Sequence, residues 1–101
     1  MLYITQIIYI NEGKESVFER FENVAIPLMK KYNGKIIHRI RPSKGDFIDN
    51  DSSETPYEIH IMSFDSEIDL NNFLKDDERK KLKHLKDDSV KSTFLIKGVE
   101  M

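Results

Sequence analysis

No cysteine occurs among the 101 residues. That excludes a disulfide framework and a thiolate metal site, and it makes the reducing cytoplasm the expected compartment, because secreted domains this small commonly rely on disulfides. Glycine is sparse, at four residues, and nowhere clustered, so a phosphate-cradling loop is missing, as are a nucleophile elbow and a His-Glu-x-x-His pattern. The apolar start, Met1 to Ile10, is too short to span a bilayer. It has no basic leader or cleavage site and stops at Asn11-Glu12, so it reads as a strand and not as a signal peptide. Charge of one sign is lacking too: sixteen basic residues stand against eighteen acidic ones, for a formal charge of −2. A nucleic-acid partner would call for a basic excess on one face. The one stretch that looks basic, Arg79, Lys80, Lys81, Lys83 and Lys86, is bracketed by Asp76-Asp77-Glu78 and Asp87-Asp88. Acid at a helix start and base towards its end suit the helix dipole, and a solvated helix is the favoured reading. Neither a nucleic acid nor a membrane is therefore expected as a partner. The sequon Asn50-Asp51-Ser52 carries no meaning in a cytoplasmic chain.

What is present fits one α+β domain over residues 1–101. A chain of this length buries roughly two-thirds of its unfolded surface, enough for one modest core. Residues 2–10 are β-branched and aromatic, the composition of a strand. After the Asn11-Glu12-Gly13 turn the period lengthens: Val17, Phe18, Phe21, Val24, Ala25, Leu28, Met29 and Tyr32 form an apolar stripe at helical spacing, with charged residues such as Glu19, Arg20, Glu22 and Lys30 between them. Pro27 should kink or loosen that helix, and Asn33-Gly34 should end it. A second strand is expected at 35–41, a long polar loop at 42–55, and a third strand at 57–64. Ser66, with Asp69 three residues on, should cap a helix that Asp76-Asp77 interrupts before a segment carrying Leu82 and Leu85. The last strand should run over roughly 90–97. The order β-α-β-β-α-β is the ferredoxin-like arrangement: a four-stranded antiparallel sheet, first and third strands central, helices on one face.

Alternation within those central strands predicts a partner. In the first strand Leu2, Ile4, Ile8 and Ile10 share one face with Gln6, while Tyr3, Ile7 and Tyr9 share the other with Thr5. In the third, Tyr57, Ile59 and Ile61 oppose Met62 and Phe64. A sheet with one wet face should alternate apolar with polar. Helices cover one face only, which leaves a patch of several hundred Å², more than monomers usually tolerate. A second copy related by a two-fold axis is the simplest cover. The rival cover is the 42–55 loop, which offers little beyond Phe47 and Ile48, so the homodimer is favoured.

Several local patterns coincide with this order. Ala25-Ile26-Pro27 precedes Lys31-Tyr32-Asn33-Gly34-Lys35 and the strand Ile36-Ile37-His38-Arg39; later come Phe64-Asp65-Ser66 and Phe73-Leu74-Lys75-Asp76-Asp77-Glu78-Arg79. Together they resemble the dimeric α/β-barrel superfamily, and most closely its small domains of unknown function related to antibiotic-biosynthesis monooxygenases. Asn33 stands where that pattern has its first glycine, the 42–55 loop is long and acidic, and the segment after Asp77 is more charged. The resemblance implies a dimeric α/β barrel. Because relatives range over cofactor-free oxygenases, isomerases, haem enzymes and proteins of no known activity, it does not select a function.

The candidate chemistry centres on His38, Glu58 and His60. If strands two and three pair with residue numbers summing to 98, His38 lies opposite His60, and Glu58 is on the same side opposite Ile40. Two imidazoles and a carboxylate on one face suit acid–base work, or in principle a metal. The bland alternative is a pair of cross-strand polar contacts, and a slip of one residue would separate the histidines. Arg39 and Arg41 then point to the other face, to grip a carboxylate or to pair with acidic neighbours. Tyr3, Tyr9 and Tyr57 either line a pocket or add core area. Asp49, Asp51 and Ser53 have the spacing of a calcium loop, but Glu54 and His60 occupy positions that need Gly and Glu, so an EF-hand is rejected. Two functions follow: a cofactor-free small-molecule site between sheet and helices, oxygenase- or isomerase-like, with His38 or His60 as acid–base group; or a non-catalytic dimerisation or protein-interaction module. No cofactor or metal is expected in either.

Overall fold

The computed structural model describes residues 1–51 and 54–101; Ser52 and Ser53, and with them parts of the sequon and of the calcium-like spacing, lie outside the described residues. The chain runs β1 (Leu2–Ile10), α1 (Glu15–Leu28), a 3₁₀ turn (Met29–Tyr32), β2 (Gly34–Ile40), a second 3₁₀ turn (Lys44–Asp46), β3 (Glu58–Phe64), α2 (Glu67–Leu74), α3 (Asp77–Lys81), α4 (Lys83–Ser89) and β4 (Val90–Val99). The sheet order is β2-β3-β1-β4, and every pairing is antiparallel. This is the ferredoxin-like fold expected from the element order, with β1 and β3 at the centre.

Each element starts and stops for a local reason. Gly13, at φ 79°, turns the chain out of β1, and the Asn11 amide and side chain bond to the carbonyls of Ser89 (2.8 Å) and Asp88 (3.0 Å). The stripe on α1 buries Phe18, Phe21 and Ala25. Pro27 has no N–H to give to the carbonyl four residues back, and the α-helix passes into the 3₁₀ turn two residues later. Asn33, at φ 55°, ends that turn in the left-handed region. Gly34 follows because a Cβ there would overlap the ring of Phe64. Ser66 caps α2 by accepting from the Asp69 amide at 3.2 Å. Asp76 both breaks the chain after α2 and caps α3. A further break at Leu82 separates α3 from α4, so the expected two-part helix has three parts.

Even-numbered residues of β1 and β3 face the helices. Ile4, Met29, Met62, Phe64, Leu70 and Phe73 form the main core cluster, and Phe21, Ala25 and Leu85 a second one. Odd-numbered residues face away. There Tyr9 meets Phe94 edge-on at 6.4 Å between ring centres, and Phe94 and Ile96 of β4 are each 57% exposed. This open face is apolar, as the alternation predicts, and no segment among the described residues shields those two side chains.

One expectation about the sheet is corrected. From Gly34 to Ile36 the pairing of β2 with β3 follows the expected register, Ile36 opposite Met62. A β-bulge at Ile37 then shifts it by one: His38 pairs with Ile61 and Arg39 with His60. A bulge places two residues against one and reverses the facing of everything beyond it.

Candidate functional site

Glu58 and His60 are two apart on β3, so both side chains point beneath the helices, and each is 1% exposed. Neither residue type is normally buried without a partner. Here the His60 Nε2 bonds to Glu58 Oε2. The bulge brings Arg39 and Arg41 to the same carboxylate: Arg39 Nε donates to Oε2 at 2.9 Å, and Arg41 donates to Oε1 through Nε (3.2 Å) and Nη2 (2.6 Å). Glu19 of α1 closes the cluster from the helix side, accepting from Arg39 Nη2 at 3.2 Å and pairing with Arg41. Arg41 lies over the Tyr57 ring at 4.6 Å, and that ring meets Phe18 edge-on.

Two guanidinium and two carboxylate groups balance, so the cluster does not require a charge on His60. Burial pushes the Glu58 carboxyl upwards, but the hydrogen bonds from His60, Arg39 and Arg41 outweigh it and hold it down to about 2. An ionised Glu58 only accepts, which assigns a proton to His60 Nε2 and turns Nδ1 away from the carboxylate. Among the described residues Nδ1 makes no hydrogen bond.

A half-enclosed cavity of about 40 Å³ lies between sheet and helices. His60 and Gln6 reach it from the sheet, Glu22 from α1 and Arg79 from α3, between apolar walls that include Met62 and Phe73. Glu22 is 7% exposed, and no hydrogen bond or ion pair reaches it among the described residues. Burial raises its pKa, and the charge of Glu58 adds to that, against the lowering influence of His60, Arg39 and Arg79. The site thus holds an ionised carboxylate behind an imidazole and a second carboxyl pushed towards its neutral form, the pattern by which one fold separates acid from base.

The expected site residues divide accordingly. His60, Glu58 and Arg39 come together, and Tyr57 stands beside them through Arg41. His38 does not join: the bulge turns it, with Ile61, to the open face. Arg39 and Arg41 were expected on that face and lie beneath the helices for the same reason. Tyr9 packs on Phe94 away from the cavity. With His38 gone the two-His-one-Glu set dissolves, and among the described residues no group of three His, Asp or Glu gathers as metal ligands. Sequence reasoning missed Glu22, although its spacing from Phe18, Phe21 and Ala25 sets it inside the apolar stripe. It also counted Arg79 and Lys86 among solvated charges, whereas both are half-buried against the cavity.

Neither a protein-family model nor a curated protein matches this sequence. Solved structures do match in shape. A protein of unknown function from Rhodopseudomonas palustris superposes with a TM-score of 0.85 at 9% identity, over 99% of this chain and 82% of its own. An uncharacterised NIPSNAP domain protein from Burkholderia xenovorans gives 0.71 at 11% identity, over 100% and 95%. A protein from Bacteroides fragilis, described as dimeric, of unknown function and ferredoxin-like, gives 0.67 at 15% identity, over 96% and 93%. At such identities the likeness establishes the fold and leaves the chemistry to the site. Among the described residues no helix is long and apolar enough to cross a membrane.

Proposed function

We propose that the chain is a cytoplasmic homodimer whose subunits each bind a small organic molecule between sheet and helices, and that His60 exchanges a proton with it in oxygenase- or isomerase-like chemistry without a bound cofactor. The observation that carries this reading is the tethered imidazole: His60 is buried at a cavity wall, held through Nε2 by an ionised Glu58, with Nδ1 left to act as base. An imidazole so held is oriented to serve as a general base. Glu58 is the positioning residue, and Arg39 and Arg41 keep it ionised. The superfamily that the sequence resembles includes cofactor-free oxygenases and isomerases, so this chemistry lies within its range. Pairing of open faces supports the dimer: covering ~400 Å² of apolar surface per subunit is worth about 10 kcal/mol before association costs.

A screen of small organic molecules by ligand-observed NMR, run on the native protein and on His60→Gln, tests the site. Compounds that bind the native protein and fail to bind the variant are expected, with sedimentation and circular dichroism unchanged. Equal binding to both would remove His60 from the function. For the dimer, Ile96→Asp should halve the sedimenting mass; a native protein already monomeric near 1 mM sinks that half of the proposal.

The second reading, a non-catalytic dimerisation or interaction module, is favoured by one measurement. The cavity volume of about 40 Å³ is well below the ~300 Å³ at which ligand pockets begin. A screen that returns no cavity-directed compound, with the dimer intact, would select it.

A further inference from the structure

Arg79 stands apart from the other cations at the site because no carboxylate pairs with its guanidinium among the described residues. Its guanidinium lies between the rings of Phe21 and Phe73, 5.7 and 5.2 Å from their centres. Its Nε is buried with no hydrogen-bond partner among the described residues. Asp76, three residues before it, is committed elsewhere: Oδ1 accepts from the Arg79 backbone amide at 3.0 Å, and Oδ2 takes the Tyr32 hydroxyl and lies 3.6 Å from Lys31. Glu22 faces Arg79 across the cavity but makes no ion pair with it. From α4, Lys86 reaches the same cavity wall, also without an ion pair among the described residues. Burial, then the neighbouring Arg79 charge, lowers the pKa of Lys86.

The helical end of the cavity therefore presents two cations with no ion pair among the described residues, while the strand end is neutral within the Glu19, Arg39, Arg41 and Glu58 cluster. The planar guanidinium fork matches a planar two-oxygen acceptor better than any single-point anion. The walls between Arg79 and His60, formed by Met62, Phe73 and Met29, offer only apolar contact. We propose that Arg79 anchors the carboxylate of a small monocarboxylic acid whose apolar body lies along the cavity towards His60. Arg79 is thus a binding residue, Lys86 adds charge at the same end, and Glu22 faces the bound acid from α1. The proposal rests on the reading of His60 only for which end of the molecule reacts.

Titration by two-dimensional NMR with propanoate and butanoate, and with the matching amides propanamide and butanamide, tests it on the full chain. The carboxylates should bind at least tenfold more tightly than the amides and should shift the Arg79 Nε–H signal. Arg79→Met, which keeps the stem between the two rings, should erase the preference, while Arg79→Lys should keep part of it. A native protein that shows this preference yet exchanges no proton with the bound acid would leave the anchor standing and remove only the role proposed for His60. Acid and amide binding within twofold of each other would overturn the proposal, as would undiminished carboxylate binding by a folded Arg79→Met.

Discussion

Glu58 and Glu22 are the same side chain, one buried behind His60 and the other at the cavity wall, and they are driven in opposite directions. Glu58 collects three hydrogen-bonding partners and stays ionised to about pH 2. Glu22 collects none among the described residues, and burial, with the charge of Glu58 adding to it, moves it the other way. Burial does not decide the state of an acid; the donors that burial brings along do. Donors reach Glu58 because it sits on a strand beside a bulged neighbour that carries two arginines. Glu22 sits on a helix face surrounded by Phe18, Phe21 and Ala25, which have nothing to donate.

The largest test of that contrast removes the acceptor. Glu58→Gln leaves two arginines without their buried counter-charge, and breaking such a cluster costs on the order of 3–5 kcal/mol; urea unfolding at pH 7 should show it. Titration of the native protein should reproduce much of this effect without mutation. The folded value of Glu58 lies below its unfolded one, so its contribution is complete above about 4.5 and fades as pH falls towards 2. At ~1.4 kcal/mol per unit that contribution is about 3 kcal/mol, and the gap between native and Glu58→Gln should close along the same limb. A gap that persists at pH 2 would mean that geometry, and not charge, holds the cluster. Glu22 has the opposite sign. Its raised folded value makes it neutral at no penalty below about 4.5 and a liability as pH climbs through that raised value. Glu22→Gln should therefore stabilise the protein by on the order of 1 kcal/mol at neutral pH and change nothing in acid. Smallest is Glu19→Gln: Glu19 touches the same arginines from a partly exposed position, where ion pairs contribute ~0–1 kcal/mol, and the unfolding midpoint should barely move.

Much of the fold was legible because period and punctuation agree. Alternation in β1 and β3, the stripe on α1, the Asn33 stop and the Ser66 cap each carry a local physical cause. The site was legible only in part. Glu58 and His60 announce themselves as polar residues on an otherwise apolar face. Their arginine partners do not, because the bulge falls within Ile36-Ile37-His38, where no glycine or proline marks an extra residue, and strict alternation therefore sends Arg39 to the wrong side. Arg79 was hidden by its company: it sits in a run of lysines that do face solvent, and only the tertiary approach of Phe21 and Phe73 sets it apart.

The bulge at Ile37 gives this small domain two possible interiors for one chain length. Flattened, the downstream half of β2 would rotate His38 and Ile40 inwards and swing both guanidinium groups out, leaving Glu58 sealed in with imidazoles alone. The kink is held by electrostatics instead of by a permissive residue at the bend. Neutralising Glu58 therefore does more than remove an ion pair: it takes away the reason for the strand to skip a step.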